Sequence, residues 1–395
     1  MGQRRQVVGS ELVVENRVRV GYFDSLRAVA IVSVIAAHSA QTIGSIQRAS
    51  SSTIDSSLLS FFNQGGYGVQ VFFFLSGYLL AMLYGYSSLD TRPTTSSRTF
   101  WIKRFFRIAP LWFLFLIFVT LRPMLFPASP GSWADAAAVT PAEGILGFVV
   151  LLVLSVTLSM WLIPEAWEGF IPGGWSIQAE FLHYVFFALT RKWRITNILV
   201  GYILLALPVI LMDKVLIRVD VDLGILEGWR SQNLPSTLLF FLAGTFAYLL
   251  VDKSRRKALS SSGSALLVAF VAVVLLLPLN NVKSGQFFEA VGFVAFALLV
   301  ALGASQSAPL QALLDRIAKY SYFSYFFHFF ALDALEGIYL GAFDHPLPGG
   351  QIGVGMSILL TVVVVTALST SLGALSWKLL ERPAIRWGNK RAREG

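Results

Sequence analysis

Apolar residues run along this chain in blocks close to the ~20 residues that an α-helix needs to cross a bilayer. Eleven blocks stand out, at about 22–44, 66–86, 103–121, 144–163, 175–190, 194–212, 235–251, 264–280, 286–305, 319–341 and 352–379. Between them lie short polar segments, the largest being 122–143 and 213–234, and neither is long enough to fold alone. No internal repeat and no long low-complexity stretch interrupts the series. The pattern predicts an all-α membrane protein, a polytopic helical bundle. Residues 1–21 (MGQRRQVVGSELVVENRVRVG) lack the apolar core and cleavage site of a signal peptide, and Gln6 stands where a myristoylation motif needs Ser or Thr. They are expected to form a short cytoplasmic tail, with a second, basic one at 383–395 and the membrane domain at 22–382 between them.

Charge fixes the direction of the helices. Only 13% of the 395 residues are charged against 55% hydrophobic, about half the charged share of a water-soluble domain (about 25%), so much of the surface must face lipid. Cytoplasmic loops collect Lys and Arg. With the N-terminus inside, strict alternation places 24 of the 31 basic residues in cytoplasmic segments and six outside, leaving Arg27 within a span. The alternation holds only if 144–163 does not cross. Residues 122–174 then form one long external connection in which 144–163 is re-entrant or interfacial, which protein contacts permit. The expectation is ten crossings with both termini cytoplasmic.

Ionisable groups inside spans are costly unless partnered, and so mark functional candidates. In the first span, Arg27 and His38 are eleven residues apart, about three turns, so they share a helix face with His38 ~16 Å farther outward. In FWIKRFFRIAP, Arg104 and Arg107 are spaced i, i+3 beside Lys103 at the expected start of span three, where guanidiniums and a helix N-terminus together suit a phosphate. In GGWSIQAEFLHY, Glu180 could orient a catalytic imidazole or bond sugar hydroxyls, and Trp175 offers a stacking face beside His183 and Tyr184. His328 lies near mid-membrane, with Asp333 and Glu336 farther out. Each group also has a plain structural reading: snorkelling, topology determination, an interfacial aromatic belt, or hydrogen bonding between helices.

Other chemistry is poorly represented. The chain has no cysteine, which removes disulfides and thiolate catalysis. It has no phosphate-binding loop, no nucleophile elbow, and only a fragment of a glycine-rich dinucleotide motif at Gly66 and Gly68. The four histidines show no metal-ligand spacing, so no metal is expected. Nucleic acid is not expected as a partner, because the +9 net charge is accounted for by the cytoplasmic loops. Oligomeric state cannot be read from the residues.

Taken together, the segments resemble the acyltransferase 3 family of integral-membrane enzymes, which mostly O-acetylate cell-surface carbohydrates. The likeness covers nearly the whole chain: YFDSLRAVAIVSVIAAH, GGYGVQVFFFLSGYLL, RFFRIAPLW, WSIQAEF, SYFSYFFHF and LLERP are similar, in order, to six family motifs. Ile177 stands where the family usually has Leu, and no SGNH-type domain is apparent at the C-terminus. The resemblance implies transfer of an acyl group, acetyl above all, from a cytoplasmic acyl-CoA to a hydroxyl of a cell-surface or exported carbohydrate at the bacterial cytoplasmic (inner) membrane. In that scheme His38 is the general base and Arg27 holds the donor or the developing charge. Arg104, Arg107 and Lys103 bind coenzyme A phosphates, Glu180 orients His38 or the acceptor, and Trp175, Tyr184 and His328 line the substrate. Four alternatives stay open: a transporter, acyl transfer to a non-carbohydrate small molecule, a membrane-bound O-acyltransferase mechanism in which His328 is catalytic, and a purely structural or scaffolding membrane protein.

Overall fold

The computed structural model describes residues 2–49, 56–84, 96–125, 145–160, 171–194, 197–205, 207, 234–251, 307–342 and 350–394. All of their regular structure is helical. The helices are α1 (Gly2–Ala49), α2 (Ser56–Asn63), α3 (Tyr67–Tyr84), α4 (Ser97–Leu125), α5 (Ile145–Val156), α6 (Gly174–Thr190), α7 (Leu234–Val251), α8 (Ala308–Ala342), α9 (Gly350–Ser376) and α10 (Arg382–Arg391). A 3-10 turn, Gln64–Gly66, links α2 to α3, and a π-helical turn, Trp377–Glu381, links α9 to α10. Four stretches among the described residues are long and apolar enough to cross a membrane: Phe23–Gln47, Phe61–Tyr84, Ser97–Leu121 and Ile352–Arg391. Large apolar side chains point outward, with Ile352, Met356, Leu360 and Val363 of α9 all exposed, while His183, His328, Asp333 and Glu336 are buried. A protein with greasy residues outside and ionisable ones inside is built for lipid. The chain is an all-α membrane protein.

Several helices run past their apolar blocks, whereas α3 and α5 stop short of theirs. Hydropathy marks what lipid covers, whereas the helix ends where its backbone is capped. α4 begins six residues before the block at 103–121 because the Ser96 hydroxyl accepts from the Thr99 amide at 3.2 Å, an N-cap within a polar run. The block at 319–341 is the C-terminal part of a 35-residue helix, and 383–395 is helical as far as Arg391. The blocks at 264–280 and 286–305, and part of 194–212, lie outside the described residues.

The described helices form two compact units, Met1–Phe72 with Val282–Leu375, and Phe73–Asn281 with Ser376–Gly395. In the first, α1 packs along α8. The buried positions Leu314, Ala318, Ser321, Tyr325, His328 and Leu332 recur at three- and four-residue spacing, a single apolar seam. Three contacts fix the direction: Ser25 Oγ to Gln311 Oε1 (3.2 Å), the rings of His38 and His328 (5.3 Å), and Ser45 Oγ to Glu336 Oε1 (3.1 Å). Residue numbers rise together along both helices, so α1 and α8 are parallel. Gly68, half of the dinucleotide-like fragment, lets the start of α3 approach α1: a Cβ there would sit 2.3 Å from the Ala30 carbonyl oxygen.

In the second unit α3 crosses α7 through a reciprocal glycine contact. A Cβ on Gly77 would fall 1.9 Å from the Phe241 carbonyl, and one on Gly244 1.9 Å from that of Phe74. The Thr245 hydroxyl donates to the Gly77 carbonyl at 3.3 Å within this contact. α5 has 12 residues, ~18 Å at 1.5 Å per residue, short of the ~30 Å hydrocarbon core. It ends at a turn in which Leu158 takes φ 55, and Trp112 Nε1 of α4 donates to the Ser155 carbonyl at its end (3.0 Å).

The alternation of basic segments that leaves 144–163 out of the count puts residue 170 outside. A reporter fused after residue 170 is therefore expected to read as extracytoplasmic. Cytoplasmic activity of that fusion would overturn the ten-crossing topology.

Candidate active site

In the first unit the site grows from α1 and α8. His38 is half-buried, and its Nδ1 lies 3.1 Å from Gln41 Oε1, one turn on. An amide oxygen only accepts, so in this contact Nδ1 is the donor. The ring lies against His328 (centroids 5.3 Å) and Phe329 (4.7 Å). His328 is fully buried and donates from Nδ1 to the Ser324 carbonyl at 3.1 Å, leaving its Nε2 without a hydrogen-bond partner among the described residues. The result is a pair of imidazole rings against the Phe329 ring, each with its Nδ1 turned to an oxygen of its own helix. His38 and His328 come from sequence segments 290 residues apart, and α1–α8 packing brings them together. Arg27 lies on the same continuous helix, about 16 Å below His38 by helical rise, beyond contact with its ring. It faces Asp24 at 3.8 Å, an acid one turn away that the motif reading did not assign.

In the second unit the site is a polar network among aromatic rings. The Tyr184 hydroxyl donates to Glu180 Oε1, and Ser76 Oγ donates to the same oxygen at 2.9 Å. The Arg104 guanidinium is caged by three rings, those of Tyr84 (5.2 Å), Tyr184 (5.3 Å) and Phe100 (5.9 Å), and its Nη2 donates to Tyr84 Oη at 3.2 Å. Its buried Nε has no partner among the described residues. A guanidinium stacked on ring faces is held by cation–π attraction and stays charged. Lys103 is exposed, and Arg107 lies within Coulombic reach of Glu381, the buried acid of LLERP. The two arginines spaced i, i+3 thus have different surroundings. The helix-dipole part of the phosphate argument is corrected by the early start of α4: Arg104 and Arg107 sit about two and three turns inside the helix, and the dipole acts only within its first turn.

His183, one turn from Glu180, is not oriented by it. Its Nε2 bonds Thr237 Oγ1 at 3.0 Å, and its ring is packed between Phe73 (4.9 Å) and Phe241 (5.1 Å). Because the Thr237 hydroxyl already donates to the Leu234 carbonyl, it accepts from His183. Trp175 meets Phe73 edge-on at 6.2 Å at the start of α6, just after Gly173, whose φ of 71 sets the turn into the helix. Besides Asp24, other contributors escaped the sequence reading. Gln41 could have been found by its i, i+3 spacing from His38. Ser76 stood inside a quoted motif without a role, and Tyr84 and Phe329 carried no signal beyond aromatic abundance. Among the described residues no three His, Asp or Glu side chains gather as metal ligands would.

Comparison with known proteins gives this arrangement a family. The family model described as an acyltransferase domain, acyltransferase 3, matches residues 20–374. The chain belongs to the acyltransferase 3 family. Among curated proteins, acyltransferase MdmB of Streptomyces mycarofaciens is 31% identical over 177 residues, 44% of this chain and 39% of that protein. The chain therefore covers about two fifths of the relative that it matches. No solved structure matches. The matched region contains every residue named above in the two clusters except Glu381.

Because Ser76 and Tyr184 donate to one oxygen of Glu180, losing both should not cost the sum of losing each. Ser76→Ala and Tyr184→Phe are each expected to lower stability by about 1.5–3 kcal/mol, the range for a hydrogen bond to a charged group. Thermal unfolding in detergent micelles is expected to show the double variant departing from additivity, and strict additivity would mean that the two hydroxyls do not share the carboxylate.

Proposed function

We propose that this acyltransferase 3 protein moves an acyl group, most readily acetyl from cytoplasmic acetyl-CoA, to a hydroxyl of a cell-surface or exported carbohydrate. His38 is the general base. An alcohol is a poor nucleophile at neutral pH, and proton removal in the transition state is worth roughly 10²–10⁴-fold. Nε2 of His38 takes the hydroxyl proton as the oxygen attacks the thioester carbonyl; the carbon–sulfur bond breaks, and the proton passes to the departing thiolate. The observation that carries this reading is the His38–Gln41 contact, which fits the Nδ1-protonated tautomer that a base acting through Nε2 requires.

The remaining roles follow from charge and setting. Arg27, Lys103, Arg104 and Arg107 supply the positive charge that a donor bearing phosphates requires. Arg104 in its ring cage offers Nε and a fixed orientation, and exposed Lys103 offers a mobile ammonium. Glu180, held by Ser76 and Tyr184, retains lone pairs for acceptor hydroxyls. Trp175 supplies a flat face for a sugar ring, with Tyr184 and His328 also contributing to the substrate surroundings. The enzyme reading is favoured over a transporter by the family.

The test is acylation of surface glycans in cells carrying the wild type, His38→Ala or His328→Ala, with isotope-labelled acetate, read by mass spectrometry. His38→Ala is expected to lose at least 100-fold in labelled product. Unchanged acylation in that variant would sink the mechanism, and loss confined to His328→Ala would move the base to α8. Label appearing only on a secreted small molecule would replace the carbohydrate acceptor.

A further inference from the structure

Beyond the transfer site, the end of the chain carries a surface with chemistry of its own. α9 has 27 residues, about 40 Å at 1.5 Å per residue, which already matches the bilayer with its headgroups at ~40–45 Å. The helical backbone nevertheless continues through the π-helical turn into α10. Its sequence changes abruptly there, from ALSTSLGALS to WKLLERPAIRWGNKR.

One side of α10 is occupied by α4. Gly388 is buried against Phe106, where a Cβ would come within 2.7 Å of that side chain. Trp387 meets Phe106 edge-on at 4.7 Å, and the Thr99 hydroxyl donates to the Ala392 carbonyl at 3.2 Å. The other side is open and two-toned. Lys378, Arg382, Arg386 and Lys390 recur every four residues, one per turn, and all are exposed. Next to them Leu379, Pro383 and Trp387 recur at the same spacing and are also exposed, Leu379 at 67% and Trp387 at 50%. Arg391 stacks over Trp387 at 5.0 Å. The acids do not cancel this charge: Glu381 is turned inward beside Arg107 and bonded to Ser376, and Glu394 reaches only Lys390, at 3.9 Å.

Exposed apolar residues flanked by a basic row are the signature of a helix lying in the headgroup layer, its apolar side chains dipping toward the acyl chains and its cations on lipid phosphates. A soluble polyanion would explain the basic row but leave Leu379 and Trp387 in water. We propose that Lys378, Arg382, Arg386 and Lys390, with Leu379 and Trp387 as apolar anchors, form a docking surface for anionic phospholipid headgroups. This surface holds α10, and with it the Ser97–Phe106 part of α4, at the membrane face. The proposal does not rest on the acyl-transfer reading.

The experiment is native mass spectrometry of the delipidated full-length protein in detergent, titrated with dioleoylphosphatidylglycerol or dioleoylphosphatidylcholine. The wild type is expected to retain phosphatidylglycerol in preference to phosphatidylcholine, and the preference should weaken as salt rises. A triple variant, Lys378→Gln with Arg382→Gln and Arg386→Gln, is expected to lose roughly fivefold in phosphatidylglycerol affinity per charge removed, with phosphatidylcholine unchanged. Arg382→Lys with Arg386→Lys is expected to keep the preference, which separates charge from folding. Full preference in the triple variant would overturn the proposal, as would equal retention of the two lipids by the wild type. Displacement of phosphatidylglycerol by adenosine 3′,5′-bisphosphate would instead make the row a nucleotide-phosphate site.

Discussion

Hydrocarbon offers no hydrogen bonds, so every polar side chain carried into the membrane by one helix must find its partner on another helix or on its own backbone. The described structure is arranged around that requirement. His328 spends one ring nitrogen on the Ser324 carbonyl of its own helix, and Glu336 takes the Ser45 hydroxyl from α1. Glu180 takes hydroxyls from α3 and from its own helix, and Arg104 finds aromatic faces and a phenol. Some buried polar atoms are left over among the described residues, His328 Nε2 and Arg104 Nε among them. Each such atom carries a desolvation cost of a few kcal/mol, which the packing around it has to offset.

Close backbone approach is the second device, and it follows from the first. Helices can exchange such short-range hydrogen bonds only if their axes come near enough, and small residues permit this. The reciprocal contact of Gly77 and Gly244 does this for α3 and α7. Ser76 and Gly77 adjoin in one motif, but they act differently: the glycine admits the neighbouring helix and the serine reaches the carboxylate. The motif is therefore a packing device and a polar device in consecutive residues.

Much of this was legible in the residues. The apolar blocks located α1, α3, α4, α6, α7, α8 and α9, because a membrane helix has to be apolar for nearly its whole crossing length. Six short motifs in order pointed to the acyltransferase 3 family, whose match over 20–374 followed. The helix ends were less legible. Capping by Ser96 extends α4 into a polar segment that hydropathy reads as loop, and this moved Arg104 and Arg107 away from the helix N-terminus. Partners were the least legible part, since Glu180 has three neighbours in sequence able to bond it, and its actual partners include Ser76, 104 positions away.

The amino-acid sequence by itself determined the solvent, the helical class, the family and the positions of the costly groups. Those are properties of composition, block length and local motif, and each is encoded within about twenty consecutive residues. Only the tertiary structure decided that His38 meets His328, that His183 turns to Thr237 rather than to Glu180, and that Arg104 is enclosed by rings while Arg107 has Glu381 within reach. Such pairings depend on which helix faces oppose one another and at what height. Relative helix rotation and register are set by packing over the whole interface, so no single stretch of chain contains them.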